Sequence, residues 1–234
     1  MATVLSIVGR ACLKLGVTVP DQLYASTNRE RVELAEVANA CAETIMRAHD
    51  WNILKTVQTD TGDGSTTAFD LPTDFDRMTK DPEIWSSAFE TALHHIADET
   101  TWLAYDVQGY NIATNRWSML GGQVNIKPAL ASGVTAKYYY ISNKCCANAG
   151  ATPQALFTAD DDTFRLDDEL LRLALIWTWR EQKKIPYAED LENYERLLAK
   201  RIMNDGGGAR VIRAGGASGR RGVRIAYPKT VPTS

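Results

Sequence analysis

Both ends of the chain carry apolar side chains at the three- and four-residue spacing of amphipathic helices. A first stripe is followed by Gly16, a typical residue just past a helix end, and by Pro20. Thr27 and Glu30 form a capping box that predicts the start of a second helix. The two stripes comprise Val4, Ile7, Val8, Ala11 and Leu15, then Leu34, Val37, Ala38, Cys41, Ile45 and Ala48. Each predicted helix therefore has an apolar face that must pack against another element.

A second helical region is predicted at Asp167–Asp205, as a helical hairpin. The acids of Asp167–Glu169 suit a helix cap and first turn. This helix should stop by Ile185, because Pro186 disfavours α geometry at the residue before it. Pro186 in turn suits the first turn of the next helix, which Gly206 should end. The apolar faces consist of Leu166, Leu170, Leu173, Ala174 and Trp177, then Tyr187, Leu191, Tyr194, Leu198 and Ile202.

The region between the helices has short runs of β-branched and aromatic residues separated by turn signals. Gly121–Gly122 predicts a tight hairpin turn. The cluster Thr61–Thr66 predicts another hairpin between the runs that flank it. Ala136–Ser142 predicts a strand, and His94–Tyr105 predicts a short helix. This middle region is therefore expected to be mostly antiparallel sheet.

The whole pattern predicts an α+β protein: a helical bundle with an inserted antiparallel β domain and an extended carboxyl-terminal arm. The two outer helical regions both need partners for their apolar faces, so we expect them to pack on each other. The predicted domains are residues 1–50 and 149–205 for the bundle, 51–148 for the β domain and 206–234 for the arm.

Charge distinguishes the arm from the rest of the chain, although the formal net charge is only −3. The arm has six basic residues and no acid, whereas the other residues include 20 basic and 29 acidic side chains. Its many glycines and few large apolar groups give it no core of its own. Elsewhere, the longest apolar run, Leu170–Trp179, is too short to span a membrane and contains Arg172.

Three interpretations of the arm stay open: it binds nucleic-acid phosphate, it docks on an acidic protein neighbour, or it is disordered. We favour docking, because a purely solubilising tail does not need the apolar residues that lie among its arginines. Val223–Tyr227 alternates in a way that suits strand addition to a partner's sheet. The predicted docking residues are Arg210, Val211, Ile212, Arg213, Arg220, Arg221, Arg224, Ile225 and Tyr227.

Known catalytic and ligand-binding motifs do not fit the sequence, so we predict no catalytic residue, no cofactor and no metal ion. The acidic run Asp160–Asp162 lacks the glycine and glutamate of a calcium-binding EF-hand, and we expect a solvated loop there. His94 and His95 are adjacent and should diverge, which does not suit a metal site. The nucleophile elbow, the phosphate-binding loop and the dinucleotide fingerprint are also lacking.

The four cysteines predict free thiols, because a disulfide framework needs denser pairs in a shorter secreted chain. Cys12 and Cys41 fall within the apolar helical segments and should be buried. Cys145 and Cys146 are adjacent, so on a strand they should point to opposite faces. The chain is therefore expected to fold in a reducing cytoplasm.

Several short segments occur together in a fixed order along the chain. They are Asp50-Trp51-Asn52, Phe69–Met78, Phe157–Asp162, Leu166–Leu171, Trp177–Arg180, Pro186–Asp190 and Tyr194-Glu195. Together they resemble the head-to-tail adaptor (connector) proteins of short-tailed bacteriophages, of the tail tubular A or tail accessory factor type. The similarity runs from about Glu30 to Arg213, and the arm extends beyond it.

This resemblance implies a homo-oligomeric ring of twelve subunits beneath the portal protein, with the arm reaching up to the portal. The β domain would face outward or toward the tail tube or nozzle and the tail fibres. DNA would pass through the channel without specific binding, since acidic walls repel phosphate. The implied location is the neck or tail of the virion, after assembly in the host cytoplasm, with no membrane partner.

Two other functions stay open. The β domain could belong to a glycan-cleaving tail enzyme that uses paired carboxylates such as Asp74 with Asp76 or Asp70. Alternatively, the chain could be an accessory protein that binds DNA through its basic arm.

Overall fold

The computed structural model describes residues 2–88, 90–108 and 115–206. These residues form α-helices and antiparallel sheets, which confirms the α+β class. The helices are α1 (Val4–Leu15), α2 (Arg29–Ala48), α3 (Glu99–Gln108), α4 (Asp168–Gln182) and α5 (Ala188–Asp205). The strands are β1 (Lys55–Thr61), β2 (Ala68–Asp70), β3 (Phe75–Met78), β4 (Trp85–Ser86), β5 (His94–His95), β6 (Arg116–Leu120), β7 (Gln123–Lys127), β8 (Thr135–Ser142), β9 (Cys146–Ala147), β10 (Pro153–Gln154) and β11 (Thr163–Phe164).

The end of α1 and the start of α4 confirm their predictions. Gly16 follows α1 with a φ of 70°, a left-handed conformation that glycine adopts without strain. Asp167 caps α4, because its Oδ1 accepts a hydrogen bond from the main-chain N–H of Leu170 (2.8 Å). Both signals act within a few residues along the chain, which is why the sequence alone predicts them.

Two other helix starts differ from their predictions. Asn28, not Thr27, caps α2, and its side-chain oxygen accepts from the main-chain N–H two residues later (2.9 Å). Threonine and asparagine are both good helix caps. The three-residue spacing from Thr27 to Glu30, on which the prediction rested, therefore did not identify the cap. Helix α5 begins at Ala188, two residues after Pro186, because a left-handed Lys184 (φ 56°) lengthens the turn that precedes it.

Helix α4 lies at the centre of the helical region and packs against α1, α2 and α5. A buried carboxylate joins three of these helices. Asp190 of α5 accepts a hydrogen bond from the Nζ of Lys14 on α1 (2.7 Å) and another from Arg180 on α4. Its side chain is only 4% exposed, and the two cations balance a charge that would otherwise be costly to bury.

Three sheets form the β region. In the first, β8 lies between β1 and β3 and also pairs with β4. The second has the order β2-β7-β6-β5, and the third is a small sheet with β9 between β10 and β11. All pairings are antiparallel except β5 with β6.

One predicted hairpin is confirmed and the other is wrong. Strands β6 and β7 pair across Gly121–Gly122, and both glycines have positive φ. Strands β1 and β2 do not pair with each other, because β1 joins β8 and β2 joins β7. The intervening turn is held elsewhere: the N–H of Gly62 donates to Val134 O (2.8 Å) and that of Gly64 to Leu130 O (3.0 Å). These long-range hydrogen bonds hold the segment through which the chain passes from the first sheet, at β1, to the second sheet, at β2.

The helix predicted over His94–Tyr105 starts later than expected. His94 and His95 form β5, parallel to β6, and α3 begins only at Glu99. The side chain of Asp98 accepts from the main-chain N–H of Thr101 (2.8 Å), which caps the helix start. An Asp followed by Glu and Thr was thus a better start signal than the histidine pair.

Two hydrophobic clusters make up the interior. The first contains α1, α2, α4 and α5, together with Trp51, Leu54 and Ile141 from the middle of the chain. The second lies between the strands and includes Trp117 and Tyr138. Strand β8 contributes to both clusters. The domain boundaries 1–50, 51–148, 149–205 and 206–234 stay predictions, and 207–234 lies outside the described residues.

The acidic run Asp160–Asp162 is not the solvated loop expected from its sequence. Asp162 is 1% exposed and accepts hydrogen bonds from Gln154 Nε2 (2.6 Å) and the main-chain N–H of Thr158 (2.6 Å) and Ala159 (2.9 Å). Asp160 accepts from the N–H groups of residues 23 and 24 (2.9 and 3.1 Å). These two carboxylates accept hydrogen bonds from main-chain N–H groups that have no partner in a helix or sheet. The acidic residues here therefore serve internal hydrogen bonding rather than contact with solvent.

All four cysteines are buried free thiols, as predicted for Cys12 and Cys41. The expectation that Cys145 and Cys146 point apart is wrong, because their Sγ atoms lie 3.7 Å from each other. Strand β9 begins only at Cys146, and the N–H of Cys145 donates to Asn143 O (2.9 Å) in the preceding turn. The alternation of a strand therefore does not apply to Cys145.

We predict that Asp162→Ala lowers the free energy of unfolding by about 3 kcal/mol, because it leaves buried N–H groups without an acceptor. The matched control is Asp161→Ala, which removes an exposed neighbouring carboxylate and should cost less than about 0.5 kcal/mol. Urea denaturation of both variants measures the difference. Equal losses for the two variants would contradict the structural role of Asp162.

Candidate functional site

The predicted docking residues of the arm lie outside the described residues. They are Arg210, Val211, Ile212, Arg213, Arg220, Arg221, Arg224, Ile225 and Tyr227, and the description ends at Gly206. What the structure describes is the point from which the arm leaves the body. That point, and the surfaces around it, form the candidate site.

The arm leaves from an anchored helix end. The main-chain N–H of Asn52 donates to the Oδ2 of Asp205 (2.9 Å), and the Asn52 side-chain amide donates to the main-chain oxygen of Asp205. The Nε2 of His49 lies 3.4 Å from the same carboxylate. The last residue of α5 is thus fixed to the connection between α2 and β1, and we call this place the junction.

The other side of the junction joins β3 to the carboxyl end of α2. Arg77 of β3 donates to the main-chain oxygens of His49 (2.9 Å) and Met46 (3.3 Å), which lie at the carboxyl end of α2. Its Nε also contacts Asp50 Oδ1 (3.2 Å). A cation placed here offsets the negative end of the helix dipole.

Asp50 and Trp51 complete the junction. The second carboxylate oxygen of Asp50 accepts from the main-chain N–H of Lys80 (2.8 Å), which holds the chain that follows β3. Trp51 is buried, and its Nε1 donates to the main-chain oxygen of Ile45 (2.8 Å). The segments Asp50–Asn52 and Phe69–Met78, which carried the family resemblance, therefore meet in space and join the helical region to the sheet.

A basic cleft of about 460 Å³ opens beside the junction. Four cations and one carboxylate line it: Arg47, Lys55, Arg77 and Lys80 with Asp50. Part of this positive charge is neutralised by ion pairs within the chain, since Arg47 also pairs with Glu43 (2.8 Å). Sequence reasoning missed the cleft because its cations come from separate segments, and no local charge run marks them.

The carboxylates considered for glycan cleavage are held by different partners. Asp70 accepts from Gln123 Nε2 (2.7 Å), and Asp76 pairs with Arg77 (2.6 Å). Asp74 accepts from the hydroxyls of Tyr140 (2.9 Å) and Ser142 (2.8 Å). Burial alone would raise the pKa of Asp74, but these two hydrogen bonds outweigh it and the pKa is lowered. A general acid needs the opposite shift.

The histidines are likewise separate. His49 belongs to the junction, whereas His95 stacks on the Trp117 ring with centroids 4.1 Å apart. Burial, followed by the charge of His94, lowers the pKa of His95. Within the described ranges, no group of three or more His, Cys, Asp or Glu side chains could hold a metal ion. The helices described here include none long and apolar enough to cross a membrane.

We predict that Asp74→Asn lowers the free energy of unfolding at pH 7 by about 1–2 kcal/mol, because the carboxylate accepts hydrogen bonds from two hydroxyl groups. The folded-state pKa is depressed, so this stability is present above about pH 4 and is lost as the pH falls through the folded pKa. Chemical denaturation of both proteins between pH 7 and pH 3 should show the two curves converge. Asp70→Asn, at an exposed carboxylate in the same segment, is the matched control and should cost less than about 0.5 kcal/mol at pH 7.

Comparison of the sequence with known protein families identifies the family of the chain. The sequence model of the SU10 adaptor protein family matches residues 2–222, which includes α1 and most of the arm. The match is thus wider than the resemblance that began at about Glu30. No curated protein matches the chain. Because the match covers nearly the whole length and confirms the resemblance to phage head-to-tail adaptors, the chain belongs to the SU10 adaptor protein family.

Proposed function

We propose that this phage structural adaptor forms a ring of twelve subunits beneath the portal protein. In this role it continues the DNA exit channel and provides the platform for the next tail component. Family membership supports the adaptor role. A ring closes when one surface of each subunit binds a different surface of the next, and a chain with an acidic body and a basic arm offers two such surfaces.

The arm is the proposed portal-docking element. The observation that carries this proposal is the fixed origin of the arm: Asp205 is tied to Asn52, so each subunit would present its arm from the same place. In a symmetric ring, the arms would then leave at regular intervals. Six positive charges on each arm would favour an acidic surface on the portal.

The β region is proposed to face outward or toward the tail tube or nozzle and the tail fibres. DNA would pass through the channel without specific binding, because the body has an excess of acidic side chains. The proposed location is the neck of the virion, after assembly in the host cytoplasm, with no membrane partner. We propose no catalytic step for this chain.

We expect the triple variant Arg220→Ala, Arg221→Ala and Arg224→Ala to lose association with the portal complex, because it removes half of the positive charge of the arm. Binding should fall by about tenfold or more if each exposed pair contributes about 0.5 kcal/mol. Co-sedimentation of the full-length variant with portal complexes measures the loss. A matched triple variant of exposed body cations, Lys137→Ala, Arg196→Ala and Lys200→Ala, should bind normally.

Truncation after Gly206 separates this proposal from its rivals. The truncated chain should keep its helical circular-dichroism signal and fail to dock, and normal docking would refute the role of the arm. Tight binding of the intact chain to free duplex DNA at physiological salt, lost with the arginines, would favour the DNA-binding accessory protein. Glycan turnover that Asp74→Asn abolishes would favour the tail enzyme.

Electron microscopy of the assembled particle tests the ring itself. We expect twelve copies of the chain in one ring at the neck, with the helical regions next to the portal and the β regions away from it. A different copy number would contradict the proposed stoichiometry, and a position at a fibre tip would contradict the adaptor position. Either result can be read from the symmetry and the axial position of the density.

A further inference from the structure

An open groove lies at the turn between α4 and α5, about one helix length from the junction. It encloses about 890 Å³, and its floor is apolar. Ile185 is 48% exposed there, and Pro186, Tyr187 and Leu191 continue the same surface. An apolar surface of this kind in a subunit of an assembly is a candidate contact site.

The rim of the groove is acidic. Glu181, Glu192 and Glu195 line it, together with a single cation, Lys184. All four side chains are exposed. None of the three glutamates forms an ion pair with any residue that the structure describes, in contrast to the paired acids of the junction. The groove therefore combines an apolar floor with unbalanced negative charge.

We propose that this groove binds the segment Arg210–Arg213 of a second copy of the chain. The segment reads Arg-Val-Ile-Arg, so an apolar pair lies between two cations. Val211 and Ile212 would contact the floor, and the two arginines would pair with the glutamates of the rim. The segment and the groove have the same arrangement, with apolar residues at the centre and charged residues at the edge, and their charges are opposite.

Chain length favours a second copy over the same chain. Helix α5 has 18 residues and separates Ile185 and Tyr187, at the far end of the groove, from Gly206 by about 27 Å, at 1.5 Å per residue. Val211 follows Gly206 by five positions, which span at most about 17–18 Å when fully extended. The segment Arg210–Arg213 therefore cannot reach Ile185 and Tyr187 of its own chain, but it can reach them on a neighbour.

This contact rests on the proposed ring and assigns separate partners to the two basic blocks of the arm. The first block, Arg210–Arg213, would bind the neighbouring subunit, and the second block, Arg220–Arg224, would stay available for the portal. A groove on one copy and an arm on the next make a head-to-tail contact, which closes a ring when the rotation fits.

A double-cysteine variant of the full chain, Ile185→Cys with Val211→Cys, tests the contact. Mild oxidation should give a ladder of dimers and larger species on a non-reducing gel, and the four native thiols are buried. The matched control, Leu103→Cys with Val211→Cys, places the cysteine at a more exposed position, on α3 (60% against 48% exposed), and should give no ladder. A cross-linked monomer, no cross-link, or equal ladders for both variants would overturn the proposal.

Removing the negative charge of the rim provides a second measurement in the same double-cysteine variant. Glu181→Gln, Glu192→Gln and Glu195→Gln together should slow cross-linking about tenfold, as expected for three exposed ion pairs. Glu36→Gln, Glu90→Gln and Glu99→Gln remove equal charge elsewhere and should not slow it. Portal co-sedimentation of the same proteins keeps the two proposals distinct: ladders without portal binding would refute only the portal role.

Discussion

The pairing of β1 with β8 is the constraint on which the rest of the fold depends. The helical region is built from two parts of the chain that lie more than a hundred residues apart. Seven antiparallel residue pairs, from Lys55 with Ile141 to Thr61 with Thr135, bring the two parts back together. Because the β region leaves and returns through this one strand pair, α2 and α4 can share a core. Helix packing and the hydrogen bond from the Val4 N–H to Asp162 O (2.7 Å) then hold the two halves of the bundle together.

Carboxylates also order the fold, and they bind main-chain N–H groups or cationic side chains of the protein. Asp162 and Asp160 hold the loop beside α1, Asp50 holds the chain after β3, and Asp190 joins three helices. Some of the acidic side chains that give the body its net negative charge are therefore buried. The net charge of the body therefore overstates the negative charge that a passing duplex or a neighbouring subunit would meet.

Sequence patterns predicted the parts of the fold that local chemistry decides. The Gly121–Gly122 hairpin and the Asp167 cap each depend on a few neighbouring residues, and both are confirmed. The hairpin expected at Thr61–Thr66 failed, because the partners of that turn lie at residues 130 and 134. The acidic run Asp160–Asp162 was misjudged for the same reason. The cleft is made by separate segments, so no single stretch of sequence could reveal it. The groove lies within residues 181–195, but its surface forms only where α4 and α5 turn back on each other.

The anchoring of Asp205 has a mechanical consequence. In the proposed ring, an arm that holds a neighbouring subunit would transmit tension to its own origin. That tension would reach Asn52 at once, since Asn52 contacts Asp205 through both its main chain and its side chain. The load would then pass into the start of β1 and its seven-residue pairing, instead of unwinding α5 from its free end. In the proposed ring, adjacent subunits would in this way share a pull along β1 and β8, which are joined by seven consecutive residue pairs.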